Sequence, residues 1–377
     1  MNLTRQRHHV LTWQNGWILT ISYPMMLVFI FLGDAWNPAQ QNVYALATVF
    51  VGLFLVMLAS SFIVVRHAEK LAEYLGEPYG TLILTLSVVG IEVAVITSVM
   101  VHGENNPTLA RDTIFAVVMI VLNGVVGLSL LVGGIRHFEQ SYNLRGANAY
   151  LGVLIPLSLL GLVLPRVADS AIGGYLSTTL TIYLIFSTTL LYLIFLAIQT
   201  TRHRDLFRPN DGSQMEDADL KSRGPMDCLW YGLLLLLTMI PIVALSEPLA
   251  QIVDRTLEES HLPAALGGVL VATLVLSAEG ITALKAARSD SLTRSINISL
   301  GAALSTIGMT IPCVLALATM LDTPIVLGLN WVDAFLLGLT LMVTVVTFGS
   351  GRTGVLQGAV HLLLFATYIV SIFDAAP

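Results

Sequence analysis

Residues 80–92 read GTLILTLSVVGIE, and residues 267–279 read GGVLVATLVLSAE. Each stretch begins with a glycine, continues as an apolar run and ends in a glutamate, Glu92 in the first and Glu279 in the second. Both acids lie near the middle of an apolar segment, where a carboxylate is costly to insert into a lipid bilayer and is usually functional. These two matched stretches therefore guide the interpretation of the whole chain.

The composition is that of a membrane protein. Of the 377 residues, 55% are hydrophobic and only 11% are charged, whereas soluble domains carry about 25% charged residues. A transmembrane helix needs about 20 apolar residues, and we predict eleven such spans, which makes the fold class all-α and polytopic. The predicted spans are residues 17–33, 43–65, 79–101, 113–135, 148–165, 177–199, 228–246, 263–284, 295–320, 325–349 and 353–373.

The basic residues predict an orientation. Cytoplasmic loops of membrane proteins carry an excess of Lys and Arg. If the amino terminus is cytoplasmic, only Arg111, Arg166 and Arg255 of the 18 Lys and Arg residues lie on the outer side. We therefore expect the amino terminus inside and the carboxyl terminus outside.

A polar stretch divides the spans into six before it and five after it. We predict an amino-terminal segment with the first helix (1–42), a first repeat half (43–199), a cytoplasmic linker (200–227) and a second repeat half (228–377). The two acid-bearing spans then run in opposite directions, which predicts the inverted-topology repeat of secondary transporters. The linker is either a solvated connection or an acidic segment that gathers cations or regulates transport.

The two acids predict exchange chemistry. If their spans cross, Glu92 and Glu279 face each other in a low-dielectric site. Two close carboxylates cannot both stay ionised without a cation, so one takes up a proton when the cation leaves. The same oxygens then serve a cation or protons, which is antiport. The alternative is two structural acids that are hydrogen-bonded across helices.

Other polar groups would complete an oxygen-lined site. Ca²⁺ takes six or more oxygen ligands, and glycines beside the acids would expose backbone carbonyls. Each hydroxyl can instead bond back to its own helix. Besides the two acids, the predicted cation- and proton-binding residues are Thr85, Ser87, Gly90, Asn123, Thr273, Ser277, Ser305 and Thr306.

Two further residues are candidates for the transport pathway. Asp333 is either a pathway acid or an interfacial group, and His361 either shuttles protons or satisfies a neighbouring helix. No Walker A, dinucleotide or zinc motif occurs, so we expect no cofactor and no ATP drive. The expected partners are Ca²⁺, Na⁺ or K⁺, H⁺ and the lipid bilayer, with no nucleic acid and no evident protein partner.

The acid helices and their flanks resemble a known family. VRHAEKLAEYLGEPYG (65–80) before the first acid helix, and LVLSAEGITALKAA (274–287) followed by LGAALSTIGMTIP (300–312), are similar to the cation/calcium exchanger superfamily. Within it the chain resembles the CAX-type calcium/proton antiporters, and among these the bacterial ChaA-like branch, which is associated with sodium, potassium and calcium. The resemblance implies eleven helices, two inverted repeats, a bacterial inner membrane and paired acids at Glu92 and Glu279 that exchange a cation for protons.

This chain departs from most CAX-type proteins in two respects, one of which is Gln357 at a position where the family often has an acid. They have Gly-Asn-Ala before each acid, whereas this chain has VVGI and LSA, so both amide ligands are missing. The predicted function is a proton-coupled antiporter, not an enzyme, that exports Ca²⁺, with Na⁺ and K⁺ as additional candidate substrates. The alternatives are a Na⁺(K⁺)/H⁺ antiporter with little Ca²⁺ transport, a passive cation channel and, last, an intramembrane enzyme.

Overall fold

The structure, a computed structural model, is almost entirely helical. It describes residues 16–32, 42–76, 79–102, 107–168, 176–202, 206–207, 225–322 and 325–374. Residues 1–15 of the amino-terminal segment and most of the predicted linker 200–227 lie outside the described residues. Within the described part, eight helices are long and apolar enough to cross a membrane, and three shorter helices are apolar. The predicted helical, multi-pass membrane class is confirmed at this level.

The helices follow the predicted spans closely. Helix α4 consists of Leu109–Met119, a π segment at Ile120–Val125, and Val126–His137. Helix α9 consists of Leu292–Ser305, a π segment at Thr306–Thr310, and Ile311–Leu321. The other elements are α1 (Leu19–Leu32), α2 (Val43–Leu75), α3 (Tyr79–His102), β1 (Glu139–Ser141), α5 (Leu144–Ser158, with π segment Leu159–Val163 and Leu164–Val167), α6 (Thr178–Ala197, then π segment Ile198–Arg202), α7 (Pro225–Glu259), α8 (Ala265–Arg288), α10 (Trp331–Thr347), β2 (Arg352–Gly354) and α11 (Val355–Asp374).

The chain folds into two compact units. The first contains residues 1–103 and 213–259, and the second contains residues 104–212 and 260–377. Helices α1, α2, α3 and α7 therefore belong to the first unit, and all the other elements belong to the second. Each unit draws helices from both sides of the predicted linker.

The first unit is built on α2 and α7, which pack along each other and both contact α3. Both helices run past the predicted ends of their spans. Past residue 65, Ala68 and Leu71 of α2 are buried, and Ala, Leu, Glu and Lys in this stretch favour helix. Gly76 ends α2 with φ +63°, a conformation that glycine adopts without steric cost.

A tight α2–α3 connection positions the helix that carries Glu92. A Cβ on Gly80 would lie 2.6 Å from the carbonyl oxygen of Ala72, which only glycine tolerates. Further along α3, a Cβ on Gly90 would lie 3.3 Å from Cε of Met239 on α7. Glycines thus hold the acid-bearing helix close to both long helices of the first unit.

The second unit is centred on α4 and α9. Of the eight long helices in the described part of the chain, these two are the most enclosed: 72% of an 18-residue apolar stretch of each is buried. Each has a π segment in its middle. Helix α8 crosses α4 where a Cβ on Gly268 would lie 2.8 Å from the backbone of Asp112 and Thr113. Further along the same helix, a Cβ on Gly280 would lie 3.2 Å from Cγ2 of Val125. Since π segments occur frequently at functional sites, this crossing directs attention to Glu279 beside Gly280.

Helix α11 approaches α4 equally closely. A Cβ on Gly358 would lie 2.5 Å from the backbone nitrogen of Leu131, and a Cβ on Gly127 would lie 3.0 Å from Cβ of His361. Small residues let helix backbones come together where lipid supplies no hydrophobic drive between helices. The approach brings His361 against the middle of α4.

Two local features differ from the sequence prediction. Residues 325–330, predicted as the start of span 325–349, are extended, because Val326 N bonds Pro107 O and Leu329 N bonds Leu162 O, each at 2.9 Å. Asn330 then caps α10 by accepting a hydrogen bond from Asp333 N at 2.8 Å, which starts the helix at Trp331.

The second difference is a short antiparallel pair of strands, β1 and β2, with Gln140 opposite Thr353. The buried side chain of Gln140 donates to Ala287 O at 2.9 Å and to Asp290 Oδ1 at 2.8 Å. Carbonyls in the last turn of a helix lack helical partners. The strand pair therefore completes the carboxyl end of α8.

The glycine contacts give a test of the packing. Gly358→Ala should lower the thermal midpoint, because overpacking a close contact costs about 1–3 kcal/mol. Gly338→Ala on α10 is the matched control, since its added methyl meets nothing within 4 Å and alanine favours helix by up to about 1 kcal/mol. Thermal unfolding in detergent should show shifts of opposite sign. Equal shifts would contradict the α4–α11 contact.

Candidate functional site

Glu92 lies in the first unit at the middle of α3, and its side chain is only 3% exposed. Gly90 precedes it where α7 approaches α3. Of the predicted neighbours, Ser87 is buried and donates its hydroxyl hydrogen to Ile83 O at 2.7 Å, and Thr85 is half-buried. A carboxylate at this depth is stable only when it is paired, hydrogen-bonded or protonated.

Glu279 lies in the second unit on α8 and is half-buried. It lines a small pocket at the α4–α8–α9 junction that has room for about one water-sized group. Ser299 of α9 is the other polar side chain that lines this pocket. The remaining walls are formed by Val121, Val125, Leu276, Gly280, Ile298 and Ala302. Glu279 therefore borders a space of about the size of one water molecule.

Ser299 was missed by the sequence interpretation. Its side chain is 2% exposed, and among the residues that the structure describes its Oγ has no hydrogen-bond partner. The signal in the sequence is the spacing of Ser295 and Ser299, which places two hydroxyls on one face of α9. Ser295 is also buried, and its Oγ likewise has no partner within the described ranges.

The other predicted hydroxyls mostly bond to their own helices. Thr273 donates to Val269 O at 2.7 Å, Ser277 to Thr273 O at 2.5 Å and Ser305 to Ala302 O at 3.0 Å. Such a bond uses the hydroxyl hydrogen and leaves the oxygen able to accept, so it is compatible with a ligand role. Thr273 is exposed, whereas Ser305 and Thr306, at the π segment of α9, are buried.

The structure places Asn123 in a buried polar network that joins α4, α10 and α11. Its Nδ2 donates to Thr340 Oγ1 at 2.8 Å, and its Oδ1 lies 3.1 Å from His361 Nδ1. His361 Nε2 lies 3.0 Å from Thr347 Oγ1. Each of these four side chains is at most 4% exposed. The network engages both polar atoms of the Asn123 amide.

The network also assigns the protons of His361. Since Asn123 Oδ1 can only accept, His361 Nδ1 carries the hydrogen, and Nε2 of the neutral ring accepts from Thr347. Both ring nitrogens thus bond to neighbouring helices, as the non-transport interpretation of this residue expects. The structure does not bring Asn123 into the Glu279 pocket, which is lined instead by Val121 and Val125 of the same π segment.

Asp333 lies in the first turn of α10 and takes part in its cap. Asn330 Nδ2 donates to Asp333 Oδ2 at 2.8 Å, while Asp333 N donates to Asn330 Oδ1. An ion pair between Arg111 and Asp112, at 2.8 Å, belongs to the same unit, and Arg111 also reaches Gly328 O. The cap explains the position of Asp333, and a part in the cation pathway remains a prediction.

Within the described ranges, no three His, Cys, Asp or Glu side chains gather into a metal-binding group. Hydroxyl, carbonyl and water oxygens would therefore supply most ligands of a cation at either acid.

Carboxylates at the middle of apolar helices, one of them beside a π segment, are typical of one class of protein: a polytopic membrane protein that moves ions. The family can be stated more narrowly. The chain belongs to the sodium/calcium exchanger protein family, whose sequence model matches residues 45–201 and 230–373.

Individual relatives agree with this assignment. The chain is 37% identical over 357 residues to the sodium-potassium/proton antiporter ChaA of Escherichia coli, which covers 94% of this chain and 96% of that protein. It is 42% identical over 316 residues to the putative ionic transporter y4hA of Sinorhizobium fredii, covering 84% and 86%. The solved structure of native YfkE superposes with a TM-score of 0.72 over 94% of this chain and 98% of that one, at 18% identity, which shows a shared fold. The predicted resemblance to the cation/calcium exchanger superfamily is confirmed.

The Asn123 network separates a structural role from a ligand role. Asn123→Leu leaves His361 and Thr340 without their partner, and each unsatisfied buried group costs about 1–3 kcal/mol. We expect a lower thermal midpoint, with the apparent cation affinity of the surviving protein changed by less than about two-fold. Ser158→Ala is the control, because the buried Ser158 donates to Leu154 O of its own helix, at 2.6 Å. A raised cation KM at an unchanged thermal midpoint would instead make Asn123 a ligand.

Proposed function

We propose that the chain is a proton-coupled cation antiporter in which Glu92 and Glu279 alternate between a cation and protons. The observation that carries this proposal is the carboxylate at the middle of each of two matched apolar helices. The first, Glu92, is buried, and the second, Glu279, borders a pocket of about the size of one water molecule. Protonation neutralises a carboxylate, so protons and a cation compete for the same oxygens. Membership of the sodium/calcium exchanger family and the name of the antiporter ChaA support this chemistry.

We further propose Ca²⁺ as a substrate, together with Na⁺ or K⁺. A specific observation favours the second candidate, a Na⁺(K⁺)/H⁺ antiporter with little Ca²⁺ transport. Ca²⁺ takes six to eight oxygens, whereas the Glu279 pocket offers one carboxylate, one hydroxyl and apolar walls. The sequence also has no amide residue directly before either acid. The relative at 37% identity is named for sodium and potassium exchange.

The proposed topology has eleven spans, with the amino terminus inside and the carboxyl terminus outside the inner membrane of a bacterium. Residues 43–199 and 228–377 form the inverted halves, after the segment 1–42, and the linker 200–227 is cytoplasmic. The matching π segments at the centres of α4 and α9 support this symmetry. The eight long and three shorter apolar helices of the described residues support the number of spans. The transported ions and the lipid are the partners, and no cofactor takes part.

Reporter fusions test the topology. Alkaline phosphatase needs an oxidising compartment for its disulfides, whereas green fluorescent protein reports a cytoplasmic position. A phosphatase fusion after Asp374 should be active, and a fluorescent fusion after residue 212 should be bright. The reciprocal fusions are the controls and should be silent. A bright fluorescent fusion after Asp374 would mean an even number of spans.

Exchange in proteoliposomes tests the mechanism. Ca²⁺, Na⁺ and K⁺ are added separately to vesicles that carry an imposed pH gradient, and proton release is followed with a pH-sensitive dye. Glu92→Gln and Glu279→Gln cannot ionise, so each should lower the exchange rate by at least about ten-fold. The control is Glu139→Gln, because Glu139 is exposed and its ion pair with Arg352, at 3.9 Å, is exposed too.

The same assay decides between rival functions. In an antiporter the apparent KM for the cation should fall as pH rises, because the cation binds the deprotonated carboxylate. Proton flux that follows the membrane potential without an exchanged cation would indicate a channel. If both glutamine variants exchange at the parental rate, the two-carboxylate mechanism is wrong.

A further inference from the structure

Ser299 is one of a small group of buried helix hydroxyls without a hydrogen-bond partner among the described residues, and of this group it is the member that lines the Glu279 pocket; the others are Ser22, Thr97, Ser129 and Ser295. Thr273, Ser277 and Thr344 each donate to a carbonyl one turn earlier in their own helix, which is the usual arrangement for Ser and Thr in membrane helices. Ser299 is equally helical and 2% exposed, yet its Oγ has no partner among the described residues. An unsatisfied buried group costs about 1–3 kcal/mol and calls for an explanation, such as a bound ion or water.

The position of Ser299 suggests the explanation. It lines the same pocket as Glu279, and the other lining residues carry no polar side-chain atom. Carboxylate and hydroxyl oxygens are both ligands for hard cations. The pocket has room for about one water-sized group, so one ion that binds Glu279 there also comes next to Ser299.

We propose that Ser299 Oγ is a direct ligand of the cation that binds Glu279, and that it helps to set the affinity and selectivity of the transporter. This inference rests on the proposed function. The hydroxyl is neutral and does not titrate in the working pH range, so it stabilises the cation without adding a second proton site. Its loss should therefore weaken cation binding while leaving proton exchange at saturating cation nearly unchanged.

The chain offers a matched control in Ser129 of α4. It is also 2% exposed and its Oγ is also without a partner among the described residues, but it does not line the Glu279 pocket. Ser299→Ala and Ser129→Ala thus remove the same atom from the same kind of buried environment. Only the first removes it from the pocket.

The experiment measures cation-triggered proton release in proteoliposomes across a range of Na⁺, K⁺ and Ca²⁺ concentrations. For Ser299→Ala we expect the cation KM to rise on the order of ten-fold, equivalent to about 1.4 kcal/mol, with the maximal rate within about two-fold of the parent. Ser129→Ala should keep the parental KM. A parental KM in Ser299→Ala, or an equal rise in both variants, overturns the inference. If either of these results occurs while Glu279→Gln is silent, the inference about Ser299 fails and the proposed function stands. If Glu279→Gln exchanges at the parental rate, the inference and the proposed function fail together.

A second variant keeps the test decisive if Ser299→Ala does not fold. Ser299→Cys replaces the hard oxygen with a soft sulfur, which prefers soft metals. Exchange by Ser299→Cys should be inhibited by Cd²⁺ at a concentration at least about ten-fold lower than in Ser129→Cys and the parent, which contains Cys228 and Cys313. Equal Cd²⁺ sensitivity in all three proteins overturns the inference.

Discussion

Lipid offers no hydrogen bonds, so each polar atom within a span must be satisfied by the protein, by an ion or by water. Most of this chain meets that constraint internally. Hydroxyls donate to carbonyls of their own helices, and Asn123, His361 and Thr347 satisfy one another between helices. A few buried hydroxyls of the described helices have no such partner, Ser129, Ser295 and Ser299 among them, and Ser299 is the one that lines the pocket beside Glu279. One of the exceptions to the internal pairing therefore lies where we propose that an ion binds.

Close helix packing is what makes such a small pocket stable. Gly268 and Gly358 bring the backbones of α8 and α11 against α4, and the buried network fixes α4 to α10 and α11. The walls around Glu279 are then aliphatic side chains held by tight contacts. A carboxylate in such surroundings responds strongly to a nearby charge because the local dielectric is low. Such an environment favours the competition between a cation and a proton that we propose for Glu279.

The sequence predicted the acid-bearing helices, since an acid within an apolar run is a strong signal that needs no tertiary information. It could not predict that residues 325–330 are extended, because their backbone partners, Pro107 and Leu162, are distant in the chain. It offered two interpretations of His361, and the hydrogen bonds of that residue match the structural one. It missed Ser299, because helical spacing does not show whether a hydroxyl bonds its own helix or faces a pocket. The extent of α2 and α7 beyond their apolar runs was missed because a hydropathy pattern marks the span and not the whole helix.

The strand pair at the end of α8 limits how Glu279 can be moved. Gln140 is bonded to Ala287 O and Asp290 Oδ1, so α8 is tethered to the loops that follow α4 and α10. Sliding α8 along its axis within the second unit would break these bonds and leave a buried amide unsatisfied, at a cost of about 1–3 kcal/mol. The bonds of Gln140 therefore disfavour sliding of α8, and of Glu279 with it, relative to the loops that carry β1 and β2. Under the proposed function, a change in access to Glu279 would cost less if the elements around α8 moved, or if α8 moved together with these loops.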